Sequence, residues 1–146
     1  MRNQNYSRPE KIMFTNFILV VIGGGIGSAA RFGLSTWVNQ FMQIKSVFPY
    51  GTLTVNLVGS FLAGLIWGLS TETTMKPETR IFLLVGFMGG FTTFSSYALE
   101  SYNLFNNGEI KNAFINILVN NIGSLLLVIA GVVLAKYSLK ALRGGV

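Results

Sequence analysis

With no histidine and no cysteine, the groups able to handle an ion in this chain are amides, hydroxyls, aromatic rings and backbone carbonyls. They gather in three places. The densest is Gly86-Phe87-Met88-Gly89-Gly90-Phe91-Thr92-Thr93-Phe94-Ser95-Ser96-Tyr97, where two adjacent glycines followed by two β-branched threonines make a weak point for a helix. Non-helical backbone at membrane depth is tolerated only where protein or water satisfies its freed groups. Such discontinuities build ion sites, because loosened carbonyls coordinate cations while half-helix N-termini face anions. The plainer reading of the glycines is a hinge or a tight crossing point. Phe91, Phe94 and Tyr97 follow at three-residue spacing, either as core or as ring edges whose positive rim solvates a small anion.

The second place is Asn56, with Thr52 one turn before it and Ser60 one turn after it. The third is Asn116, Asn120 and Ser124, with Asn121 beside them. Residues at i, i+4 and i+8 share one helix face. Amides in hydrocarbon must find partners, so each stripe either bonds helix to helix or lines a wet path. Arg31 is either a terminal arginine snorkelling to the interface or a fixed positive charge at an anion vestibule.

The elements that carry these groups are set by the charges. Only 11% of residues are charged, and they leave four charge-free stretches at 12–30, 46–71, 81–99 and 112–135. Each is about as long as a span requires, roughly 20 residues. The pattern predicts an all-α membrane protein of four transmembrane helices, the third broken at the midplane. Residues 1–11 read as a polar basic tail, 12–137 as the transmembrane domain and 138–146 as a basic C-terminal tail. Arg31 is expected to end the first span, with an interfacial segment over 32–47 and a restart at Pro49. Lys76-Pro77-Glu78 reads as a helix start and Asn106-Asn107-Gly108 as the last turn. A signal peptide is the competing reading of the first apolar run, but its length and its glycine cluster favour a packed span. Small residues at four-residue spacing, Gly23 and Gly27, then Ser60, Gly64 and Gly68, predict close helix crossings. No thiol, imidazole or paired-carboxylate constellation is present, so the chain does not read as an enzyme.

Taken together, Gly23-Gly24-Gly25-Ile26-Gly27-Ser28-Ala29-Ala30-Arg31, Gly51-Thr52-Leu53-Thr54-Val55-Asn56-Leu57-Val58-Gly59-Ser60-Phe61 and the third-span run through Glu100 resemble the Fluc or CrcB fluoride channels. The resemblance implies an antiparallel, dual-topology-type dimer with fluoride pores at its interface and a structural sodium ion (Na+) on the two-fold axis. By position, the Gly89 and Thr92 carbonyls would bind sodium, two from each subunit. Phe94 and Tyr97 would present pore-facing rings, Asn56 would hold the aromatics or the ion, and Arg31 would sit near the vestibule. Ser95, Asn116 and Asn120 would continue the ion pathway. The chain departs from the family where Tyr97 stands for a phenylalanine, and where Asn116 and Asn120 stand for a tyrosine and a serine. The implied role is passive fluoride export across a bacterial plasma membrane, relieving fluoride toxicity. Its partners would be fluoride, lipid and a second subunit, with no nucleic acid.

Two other classes fit four helices: a small proton-coupled multidrug exporter and a non-transporting membrane assembly subunit. An exporter needs a membrane-embedded carboxylate, and none lies in the four charge-free stretches. Charge also bears on pairing. Arg2, Arg8, Lys11, Lys76, Arg80, Lys136, Lys140 and Arg143 fall on the side of the termini, against Arg31, Lys45 and Lys111 opposite. Positive residues near short loops stay inside. That bias favours one orientation and a heterodimer with an oppositely oriented paralogue; discounting the tail charges restores the homodimer.

Overall fold

The computed structural model describes residues 9–41 and 46–144. Four helices in it are long and apolar enough to cross a membrane: α1 (Pro9–Phe41), α2 (Tyr50–Glu72), α3 (Pro77–Asn106) and α4 (Ile110–Leu142). The chain is a multi-pass membrane protein. Large apolar side chains such as Phe14, Phe17 and Ile26 on α1, and Leu125, Leu126, Ile129 and Val133 on α4, are exposed. In water that would be a liability. In a bilayer it is the lipid-facing surface, and the helices close their own backbone hydrogen bonds, as a spanning segment must.

The starts and stops follow local chemistry. Pro77 opens α3 at its first turn, where a missing N–H is no loss. Between α3 and α4 the chain reverses at Gly108, whose φ of 79° is one that other residues rarely adopt. At the other connection, the Asn39 side chain accepts the Gly51 N–H at 3.1 Å and ties the end of α1 to the start of α2. The first span differs from the sequence reading. α1 runs 33 residues without interruption, about 50 Å, so Arg31 does not end it, and residues 32–41 continue the helix. Residues 42–45, in the stretch expected to be interfacial, lie outside the described residues, as do 1–8 of the expected N-terminal tail. At the far end α4 continues helically to Leu142, into the segment read as a C-terminal tail.

Packing rests on glycine. α1 lies against the first half of α3, and a Cβ on Gly23 would come within 2.8 Å of the Phe82 carbonyl oxygen. One on Gly27 would meet the Phe87 carbonyl oxygen closer still. α2 lies along the second half of α4, where Gly64 abuts the Val128 backbone and Gly131 the Phe61 carbonyl. Without a hydrophobic effect between helices in lipid, this backbone-to-backbone proximity is what association uses. The tightly buried apolar centre is small: Val55 of α2 with Met88 and Phe91 of α3, the latter two just ahead of the Thr92–Thr93 stretch in sequence.

Candidate functional site

α3 is not uniform along its length. Residues Ile81–Met88 form wide π-helical turns, Gly89–Phe91 return to α-helix, and the chain becomes helical again over Phe94–Asn106. Between them Thr92 (φ −80°, ψ 157°) and Thr93 (φ −146°, ψ 117°) are extended. The glycines, singled out in the sequence as the weak point, are themselves helical, with Gly89 at φ −62° and ψ −35°. The irregularity falls at the threonines because the freed backbone N–H and carbonyl of Thr93 have partners waiting.

Those partners come chiefly from α2. Asn56 is buried, and its amide behaves as a substitute peptide group: Oδ1 accepts the Thr93 N–H at 2.8 Å and Nδ2 donates to the Thr93 carbonyl at 3.0 Å. The Thr93 hydroxyl caps the following helix, accepting the Ser96 N–H at 3.2 Å. Both diversions have the same consequence. In a continuous helix the Thr93 N–H would close onto the Gly89 carbonyl and the Ser96 N–H onto the Thr92 carbonyl. Here those two carbonyls, the pair the resemblance names as sodium ligands, lose their usual donors. A Cβ on Gly89 would find nothing within 4 Å, so that side of the chain is open.

From Asn56 a run of amides continues into α4. Asn56 Nδ2 donates to Asn120 Oδ1 at 2.8 Å, and Asn120 Nδ2 donates to Asn116 Oδ1 at 2.8 Å. Asn116 Nδ2 then donates to the Ser101 hydroxyl at 2.9 Å, which donates to the Tyr97 carbonyl at 2.8 Å. The stripes on α2 and α4 are therefore one network joining α2, α3 and α4, and Asn116 is wholly buried within it. A second strand of contacts reaches the surface: Asn121 Nδ2 donates to the Tyr97 phenol oxygen at 3.0 Å. Phe94 and Tyr97 pack edge to face, with centroids 5.0 Å apart and planes at 83°.

Most of the sequence-predicted residues converge. A cleft of about 410 Å³ is lined by Asn56, Gly89, Thr92, Phe94, Tyr97 and Asn120, together with Ser60 and Ser124 of the two stripes. Phe94 is 73% exposed, a large ring presented outward beside the open side of Gly89. Ser95 is exposed, its hydroxyl 3.4 Å from that of Thr93. Arg31 is not brought to this cleft. It lines a second, smaller one of about 270 Å³ with Ser28, Thr52, Thr93 and Ser96, so Thr93 borders both.

Three participants escaped the sequence reading. Ser101 has no stripe to mark it, although it lies one turn beyond Tyr97 on the same face. Thr93 was read only as a helix breaker, yet it is the residue that Asn56 and Ser96 engage. Glu100, placed just beyond a charge-free stretch, lies inside α3 and accepts the Thr52 hydroxyl at 2.6 Å; its second oxygen is buried with no partner among the described residues. No local signal identifies Ser101, whereas the Thr52–Glu100 pair could have been found by asking what a carboxylate near a span's end would bond to.

These features define a polytopic membrane protein whose polar machinery is turned toward one irregular, partly exposed stretch of backbone. Residues 18–132 match the family described as CrcB-like protein, Camphor Resistance (CrcB). The chain is 48% identical over 118 residues to a fluoride-specific ion channel FluC of Parabacteroides distasonis, covering 81% of this chain and 91% of the relative. It is 43% identical over 123 residues to one from Chlorobium chlorochromatii, with 84% and 93% covered. One from Legionella pneumophila is 44% identical over 129 residues, with 88% and 95% covered. The chain belongs to the CrcB family, whose relatives named here are ion channels rather than enzymes.

Proposed function

We propose that this chain is one subunit of a fluoride-selective channel that releases fluoride passively across the bacterial plasma membrane and so relieves fluoride toxicity. The observation that carries the reading is the amide of Asn56 clamped on Thr93, at a cleft shared by Gly89, Thr92, Phe94 and Tyr97, in a chain whose relatives are named for fluoride conduction. Fluoride holds its water strongly, so a path must replace hydration with donors and ring edges.

The donor chemistry also fits a structural sodium ion. Hard cations take oxygen ligands, and the Gly89 and Thr92 carbonyls have lost their helical donors to Asn56 and Thr93. Two carbonyls are half of the four that the resemblance implies, which supports a second subunit supplying the other two. In this reading the third helix is broken at the membrane midplane, and sodium would supply fixed positive charge there, offsetting the cost of an anion in low dielectric. Arg31 adds positive charge at the second cleft, on the vestibule side.

The proton-coupled exporter keeps one observation in its favour, the Glu100 oxygen inside α3 that has no partner among the described residues. Liposomes reconstituted with the chain and loaded with fluoride separate the readings. A channel releases fluoride down its gradient at a rate independent of an imposed proton gradient and retains chloride. Release that requires the proton gradient would overturn the channel reading, and no release from a chain that inserts in both orientations would favour the assembly subunit.

A further inference from the structure

The hydroxyl that distinguishes Tyr97 from a plain ring has a defined hydrogen-bonding state. Its oxygen accepts the Asn121 amide at 3.0 Å, and the same amide nitrogen is anchored to the Ile117 carbonyl at 2.7 Å. A phenol is one donor as well as an acceptor, and no group among the described residues takes the Tyr97 proton. The side chain is not free to wander: Tyr97 is 9% exposed and its ring is braced against Phe94. It nevertheless lines the cleft that holds Gly89 and Thr92. The placement of Asn121 also has a cause. Residues Val119–Gly123 form a π-helical turn, and in that wider turn Asn120 reaches inward to Asn56 while Asn121 reaches Tyr97. Single π turns inside α-helices are rare and frequently lie at functional sites.

We propose that the Tyr97 hydroxyl is an anion-binding donor of the fluoride path: Asn121 holds its oxygen, leaving the phenolic proton for fluoride in the cleft. The assignment rests on the channel reading above and deepens it. A ring edge interacts with an anion through a weak quadrupole; an O–H to an anion is a charge-assisted bond, roughly twice as strong as a neutral one. Asn121 also borders the cleft, but its amide nitrogen is committed to the Tyr97 oxygen and the Ile117 carbonyl, which makes it a positioning residue acting through Tyr97. Buried Asn116 has its amide turned to Ser101 and works one layer back.

The test is fluoride efflux from liposomes carrying the purified chain, wild type against Tyr97→Phe, Asn121→Leu and the double variant, with assembly checked by size exclusion. Tyr97→Phe keeps the ring and its packing, so the protein should elute unchanged while efflux slows about tenfold, the low end for a lost hydrogen bond to a charged group. Asn121→Leu should slow efflux less and have no further effect in the Tyr97→Phe background. Wild-type and Tyr97→Phe rates that agree would overturn the donor assignment alone, as would independent, additive effects of the two substitutions. Wild-type liposomes that hold their fluoride although the chain inserts in both orientations would overturn the channel reading and this proposal with it.

Discussion

Replacing Asn56 with leucine removes the amide while nearly conserving volume, and the structure fixes what is lost. Three hydrogen bonds disappear: from the Thr93 N–H at 2.8 Å, to the Thr93 carbonyl at 3.0 Å and to Asn120 Oδ1 at 2.8 Å. Polar contacts between transmembrane segments are worth about 0.6 kcal/mol on average and up to about 1.7, so the loss sums to roughly 2–5 kcal/mol. That is below the roughly 5–15 kcal/mol of a typical fold, and Asn120 keeps its bonds to Asn116. The subunit should therefore still fold. The site should not survive, because the closest helical acceptor for the orphaned Thr93 N–H is the Gly89 carbonyl. Restoring that bond mends the irregular stretch and withdraws a proposed sodium ligand. The expected result is loss of electrode-detected fluoride efflux, and a complex that separates into subunits on size exclusion, with helical circular dichroism retained. Wild-type efflux from Asn56→Leu would refute the idea that this amide holds the site open.

Three further outcomes follow from the same geometry. Gly89→Leu should leave the isolated subunit as stable as wild type, since its Cβ meets nothing in the chain, but should abolish efflux and sodium-dependent assembly; conduction at the normal rate would remove Gly89 from the sodium site. Phe94→Ile should cut fluoride efflux about tenfold or more with little change in thermal stability, because a 73% exposed ring contributes little to its own subunit's core, and unchanged flux would return it to a lipid-facing or packing role. If the eight-to-three excess of positive residues on the side of the termini sets topology, single cysteines at the C-terminus and in the Asn107 turn of this cysteine-free chain should label from opposite faces only. Equal labelling from both faces would point to a homodimer.

The spans were legible because charge is excluded from hydrocarbon, a rule that acts on composition and needs no tertiary information. The same rule misplaced the end of α1. Arg31 interrupts the apolar run without ending the helix, since arginine is a good helix former and its long stem can carry the charge away from the apolar zone. The residues that gather at the candidate site were legible in the sequence, but their wiring was not. Asn56 and the α4 asparagines stand out because amides are expensive in lipid, yet the sequence left open whether they line a path or bond to one another. The structure shows them bonded to one another, with donors of Asn56, Asn120 and Asn116 directed at protein acceptors. Likewise, low helix propensity in Gly89-Gly90 marked the region, but propensity is local and weak. Which residues become extended was decided from across the helix pair by Asn56, 37 residues away in sequence from Thr93.

That division of labour explains how so polar a centre can be built from four helices. A buried amide left unpaired costs about 1–3 kcal/mol and is a poor place to hold a passing ion, because it binds whatever acceptor is nearest. By spending the donors of the Asn56–Asn120–Asn116–Ser101 run on protein acceptors, from the Thr93 carbonyl to the Tyr97 carbonyl, the fold holds those groups in place and commits them away from any ion. Among the residues lining the cleft, a short set keeps unfilled valence: Gly89 and Thr92, whose carbonyls are deprived of their helical donors, the Phe94 ring, and the Tyr97 hydroxyl, whose proton has no acceptor among the described residues. The carbonyls favour a cation, and the proton and ring edges favour an anion. They occur side by side on a face that this subunit leaves open, with Phe94 exposed and space beyond Gly89. A lone carbonyl pair cannot hold sodium, and a ring on an open face cannot exclude water from a strongly hydrated anion. In the proposed channel both deficits would be met by one event, the arrival of an oppositely oriented subunit over the same face, so that cation binding, closure of the fluoride path and assembly would become a single coupled equilibrium.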